Sequence, residues 1–116
     1  MIKNSIDQYA TLDAITRALC RDAGISFLSL CSNKKNKKLN TLRGVYCVLS
    51  RDYSVHPIRA AKMICRSRQN IINQARKYLG LIQVKDPLVL SVYNNVRNQL
   101  TVSRYDADIR IKRFNQ

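Results

Sequence analysis

Six residues within one short segment carry side chains suited to hydrogen-bonding the edges of nucleic-acid bases: Arg66, Ser67, Arg68, Gln69, Asn70 and Asn73. An arginine donates as a fork to O6 and N7 of guanine. Asparagine or glutamine pairs in the same two-point way with N6 and N7 of adenine, and serine can serve any base. At the helical pitch, Arg66, Gln69, Asn70, Asn73 and Lys77 share one side, while Ile71, Ile72, Ala75, Tyr78 and Leu79 fill an arc of about 120° opposite. An ordinary amphipathic surface helix mixes glutamate with lysine on its outer face; this one carries no acid, which favours a polyanion partner.

The charge around this segment points the same way. Between Asn33 and Leu79 stand twelve lysines and arginines and one acid, Asp52, giving +11 of the chain's formal +14. The first 32 residues are neutral and the last 37 add +3. A basic region of this kind neutralises phosphates and releases their condensed counterions. Lys34, Lys35, Lys37 and Lys38 form its densest run, and Arg76 and Lys77 follow the candidate readers.

Catalysis has few candidate residues. The chain contains no glutamate, a single histidine (His56) and seven dispersed aspartates, of which Asp106 and Asp108 form an Asp-x-Asp that could bind Mg²⁺ but more often is surface charge. There is no glycine-rich phosphate loop. Cys20, Cys31, Cys47 and Cys65 lack the close pairing of a zinc module, so they read as reduced, mostly buried thiols. The expectation is a protein without catalytic residues, metal or cofactor. No apolar run approaches the length of a bilayer-spanning helix, and the amino terminus lacks a signal-peptide core, which predicts a cytoplasmic, nucleoid-associated protein.

The elements that must position these residues are helical. Glycine and proline number three and two in 116 residues, and the apolar positions recur at helical spacing. Thr11 can cap a helix from Leu12, with Ile15 and Leu19 in its stripe and Gly24 as its stop. A short helical turn over 26–31 precedes the basic segment 33–38, which reads as a loop or frayed helix start. From Leu39 to Asp52, the positions Leu42, Val45, Tyr46, Leu49 and Tyr53 mark a long helix. Pro57 opens a helix of two turns, Cys65 and Arg66 make a corner, and Ser67 caps the helix that carries the readers. Asp86 and Pro87 begin a last helix with Leu88, Val92, Val96 and Leu100 in one row, widened by Val89 and Tyr93. The predicted fold is an all-α bundle of five to six helices containing a helix-turn-helix, with a domain over 1–102 and a basic tail over 103–116.

The order of parts resembles the DNA-binding carboxy-terminal domain of the replication initiator DnaA, a helix-turn-helix domain of Trp-repressor-like type, from Leu12 to Leu100. Leu12-Asp13-Ala14-Ile15 resembles that domain's opening helix, and Ala23-Gly24-Ile25-Ser26 its short turn. Leu30-Cys31-Ser32-Asn33-Lys34-Lys35 is similar to the family's Leu-x-Ser-basic segment, a loop that lies against the phosphate backbone. Arg43 falls where the family has an arginine that reaches the minor groove. Arg66-Ser67-Arg68-Gln69-Asn70-Ile71 stands in place of the Arg-Asp-His-Thr-Thr-Val signature, and Ala75-Arg76-Lys77-Tyr78 is similar to the Arg-Lys-Ile that closes the recognition helix. The departures are as specific. The family's Asp-His-Thr readers are replaced by Ser67, Arg68 and Gln69, its Ile-Gly pair by Ile58-Arg59, and the spacing from Arg43 to Arg66 is shorter. The resemblance implies the fold without the family's base preference. The initiator's ATPase module has no counterpart here.

The function expected from this reading is sequence-selective binding of double-stranded DNA, in transcriptional or replication control. Arg66, Ser67, Arg68, Gln69, Asn70 and Asn73 would contact bases. Lys34, Lys35, Lys37, Lys38, Arg43, Arg76 and Lys77 would contact the backbone or minor groove. No membrane and no small-molecule substrate are expected, and a protein partner or second copy could dock on the last helix. A general DNA- or RNA-binding protein and an antagonist of a replication initiator are the alternatives from other classes.

Overall fold

Six helices follow one another in the computed structural model: α1 (Ser5–Ala23), α2 (Phe27–Cys31), α3 (Lys37–Asp52), α4 (Pro57–Met63), α5 (Arg68–Gln83) and α6 (Pro87–Phe114). The structure describes the backbone of residues 5–114 and the side chains of 7–101. No strand occurs among the described residues, and the bundle is all-α as predicted.

The central element is α3. All five other helices pack on it, and every residue from Thr41 to Ser50 is buried. Leu42, Val45, Tyr46 and Leu49 form the stripe expected from their spacing, joined by Cys47 and Val48 on the opposite side. A helix that reads as one-sided in sequence is therefore enclosed all round, its polar members satisfied internally. Thr41 Oγ1 donates to Lys37 O at 2.8 Å and Ser50 Oγ to Tyr46 O at 2.8 Å. The buried Tyr46 hydroxyl donates to Ala60 O at 2.7 Å, tying α3 to α4.

Helix ends show where local chemistry decides. Ser26, Asn36 and Ser67 cap α2, α3 and α5, each accepting from a backbone N–H three residues on. His56 caps α4 through its ring nitrogen, with Pro57 at the first helical position. Gly24 closes α1 at φ +67°. The ends of α3, α4 and α5 are closed the same way by Ser54, Cys65 and Lys85 at φ 58–60°, each followed by a residue whose N–H reaches back to the last turn. Thr11 is no cap: α1 begins at Ser5, and the Thr11 hydroxyl donates to Asp7 O at 2.9 Å inside the helix.

The last helix closes the core on α1, α3 and α5. Its buried contacts are Val89 and Val96, with Val92, Tyr93 and Leu100 partly covered, whereas Leu88 is exposed on the flank. Tyr93 donates its hydroxyl to Asp52 Oδ2 at 2.6 Å. Burial, and then this bond to a carboxylate, push the Tyr93 hydroxyl up to about 12. α6 does not stop near residue 102 as expected but runs on to Phe114; Asp106, Asp108 and the basic side chains there lie outside the described side chains.

One close approach sets the spacing of α3 and α5. Gly44 lies against the ring of Tyr78, and a Cβ at that position would fall within the ring. Gly44→Ala should destabilise the protein by about 2 kcal/mol through overpacking, read as a lower urea midpoint. An unchanged midpoint would show that Tyr78 turns aside without cost.

Candidate nucleic-acid interface

The basic loop between α2 and α3 is shaped from inside by Arg43. Its side chain is 8% exposed, and its guanidinium donates to four main-chain carbonyls. Nε bonds Leu30 O at 2.9 Å and Nη1 bonds Lys34 O at 2.7 Å, while Nη2 bonds Ser29 O at 3.2 Å and Ser32 O at 2.8 Å. Burial and the nearby Arg66 lower its pKa, yet a guanidinium stays charged in proteins. Arg43 was expected at the DNA backbone or minor groove. The structure turns it inward, because a planar fork of five donors fits a curl of four main-chain carbonyls.

Arg66 acts in the same way from the other side. Its Nη2 donates to Ser32 O at 2.7 Å, and its Nη1 lies 3.2 Å from each of Cys31 O, Ile64 O and Cys65 O. Both arginines therefore bond one carbonyl, that of Ser32. The bonds join the end of α2 to the turn between α4 and α5, across more than thirty residues of sequence. Arg66 was expected to contact bases; its guanidinium is instead committed to this turn.

What α5 presents outward is Arg68, Gln69, Asn73, Arg76 and Lys77, all exposed. Asn70 is half-buried, and Ser67 spends its hydroxyl oxygen on the Asn70 N–H at 3.1 Å. Gln69 Nε2 donates to Asn73 Oδ1 at 3.0 Å, so the two amides form one unit one turn apart. That unit leaves Gln69 Oε1 as an acceptor and Asn73 Nδ2 as a donor, the complement of an adenine edge.

Lys34, Lys35, Lys37 and Lys38 are all exposed. Arg66 fastens the beginning of their loop beside the start of α5. Farther along, Lys37, Asn40 and Lys77 line one cleft of about 420 Å³ between α3, α5 and α6. The ammonium of Lys77 rests over the Tyr78 ring, 5.6 Å from its centroid. The end of α2 is thus tied to the turn before α5, and the first turn of α3 borders the same cleft as Lys77 of α5. Asp86 also borders the cleft, with Oδ2 accepting from the Val89 N–H at 3.2 Å. The one acid of the basic region, Asp52, is held by Tyr93.

A residue missed by the sequence reading is Arg51. It lines a groove of about 350 Å³ with Val55, Pro57, Ile72 and Arg76, between α3 and the first half of α5. Its signal in the sequence was a basic side chain in the last turn of the long helix. No protein-family model, curated protein or solved structure matches this chain. Among the described residues no group of three His, Cys, Asp or Glu side chains could hold a metal ion, and no helix is long and apolar enough to cross a membrane.

Arg43→Met tests the internal clamp. It should lower the unfolding free energy by about 3 kcal/mol, since carbonyls in a dry place lose their donor, and should speed amide exchange across residues 32–36. Unchanged exchange there would show that the loop holds its shape without the guanidinium.

Proposed function

We propose that this chain binds double-stranded DNA selectively by laying the first half of α5 in the major groove, in transcriptional or replication control. The observation that carries the reading is the tie that Arg66 makes between the residues just before Lys34, Lys35, Lys37 and Lys38 and the turn that opens α5. A short α4, a tight turn and a capped α5 supply the layout of a helix-turn-helix. The resemblance to the DnaA carboxy-terminal domain supports the same assignment.

On this reading Arg68, Gln69 and Asn73 read base edges, with Asn70 at their margin. Lys34, Lys35, Lys37 and Lys38 hold phosphates from one flank, and Arg76, Lys77 and Arg51 from along α5. Arg43 and Arg66 contribute charge and shape without touching DNA. Aromatic stacking, the usual mark of single-strand and RNA binding, has little support from the α3–α6 bundle: Tyr46 and Tyr78 are buried and Tyr93 is bonded to Asp52.

Selection from a randomised duplex library at near-physiological salt tests the proposal and should enrich one short site. Retention of DNA with no enriched sequence would make α5 a phosphate-holding surface and the chain a general binder. Two substitutions then separate readers from holders. Arg68→Ala should cost about 1–3 kcal/mol at one base position and relax preference there. Equal weakening on all sequences would make Arg68 a phosphate contact. Lys35→Ala should weaken every sequence alike and reduce the salt-dependence slope by about one charge; an unchanged slope would take the loop off the DNA.

A further inference from the structure

The turn that joins α4 to α5 carries a thiol that DNA recognition does not use. Cys65 is exposed and stands at φ 58°, a backbone position that a cysteine adopts at a cost and glycine adopts freely. Directly across from it is Cys31, the last residue of α2. The carbonyls of Cys31 and Cys65 both lie 3.2 Å from the same nitrogen, Nη1 of Arg66, so their main chains are adjacent. The Cys31 thiol also reaches toward this turn, its Sγ donating at 3.6 Å to the carbonyl of Met63, the last residue of α4.

The other thiols differ in kind. Cys47 is buried within α3, and Cys20 is half-buried on α1. Of the four thiols expected to be mostly buried, Cys47 is enclosed and Cys65 is the exposed one. Burial, reinforced by the Cys65 thiol and opposed by Arg66, holds the Cys31 thiol up.

We propose that Cys31 and Cys65 form a reversible disulfide, a redox-sensitive fastening of α2 to the turn before α5. The oxidant is the simplest hydroperoxide, hydrogen peroxide. The sulfur of Cys65, reached from solvent as its thiolate, attacks the peroxide oxygen; the O–O bond breaks, a sulfenic acid forms on Cys65, and the departing hydroxide leaves as water after taking a proton. Cys31 then gives up its proton and attacks the Cys65 sulfur. The S–S bond forms, the S–O bond breaks, and the second oxygen leaves as water. Two thiols and one hydroperoxide yield one disulfide and two waters, and a small dithiol reverses the change. The bond spans the contact that Arg66 already makes between Cys31 and Cys65, so it reinforces the native arrangement of the basic loop and the start of α5. It does not depend on what α5 binds.

The test is oxidation of the purified full chain with one equivalent of hydrogen peroxide, followed by thiol titration and peptide mapping under non-reducing conditions. Free thiols should fall from four to two, with Cys31 and Cys65 recovered in one linked peptide. The melting temperature should rise by roughly 10 °C and return with a dithiol. Cys20→Ser and Cys47→Ser should still lose two thiols, whereas Cys65→Gly, which suits the turn, should keep all of its own. A link between Cys20 and Cys31, sulfinic acid on Cys65 beside a free Cys31, or a lowered melting temperature on oxidation would each overturn the proposal.

Discussion

The arrangement rests on a positive charge enclosed by carbonyl oxygens. Arg43 has no carboxylate among its partners; its charge is solvated by the main-chain dipoles of Leu30, Lys34, Ser29 and Ser32. A buried ion without such partners costs several kcal/mol, so the loop must curl around the guanidinium for α3 to be buried at that position at all. Lysine could not replace it, since three donors on one nitrogen cannot reach carbonyls spread over this arc. Arg66 then shares the Ser32 carbonyl. Two like charges at one oxygen repel, and their neighbouring carbonyls hold them there. The loop, the end of α2 and the α4–α5 turn consequently form one hydrogen-bonded unit.

That unit joins the basic segment after α2 to the turn that opens α5. Two of the twelve basic residues between Asn33 and Leu79 are absorbed into architecture, and the exposed lysines of the loop are left beside α5. Internal charge still contributes to the potential outside, because it is screened less than exposed charge. The distance between α3 and α5 is set separately, by the absence of a side chain at Gly44 opposite Tyr78. Loop shape and helix spacing are thus set by adjacent residues of α3, Arg43 and Gly44.

Much of the bundle was legible because its signals are local. The spacing of Leu42, Val45, Tyr46 and Leu49, the proline at 57 and the cap at Ser67 each act within a turn or two of helix, and each proved to be where the pattern put it. What was missed depends on partners distant in the chain. Nothing near Arg43 in sequence reveals that carbonyls of residues 29–34 will surround it, and a basic residue is ordinarily solvated. The complete enclosure of α3 was hidden similarly, since Thr41 and Ser50 look polar until their hydroxyls bond within the helix. Three helix ends at Ser54, Cys65 and Lys85 lack the glycine that marks such a turn; tertiary contacts hold those residues at positive φ against their preference.

The inward turn of Arg66 also changes what the resemblance to the initiator domain can carry. Arg66 matches the arginine that opens the family's signature, and a match there could be taken for shared base recognition. In this chain that arginine bonds the carbonyls of Cys31, Ser32, Ile64 and Cys65, a role that maintains a turn whatever sequence is being read. Likeness at this position is therefore silent on specificity. Selectivity in the proposed reading then rests on the residues that depart from the family: Arg68 at the exposed start of α5, and the Gln69–Asn73 amide pair behind it. The amides are already bonded to each other, so less rotamer freedom is lost when they meet a base edge than for two independent side chains. An arginine and a coupled amide unit one turn long suit a guanine and a nearby adenine, a short element that the flanking lysines hold in register without reading it.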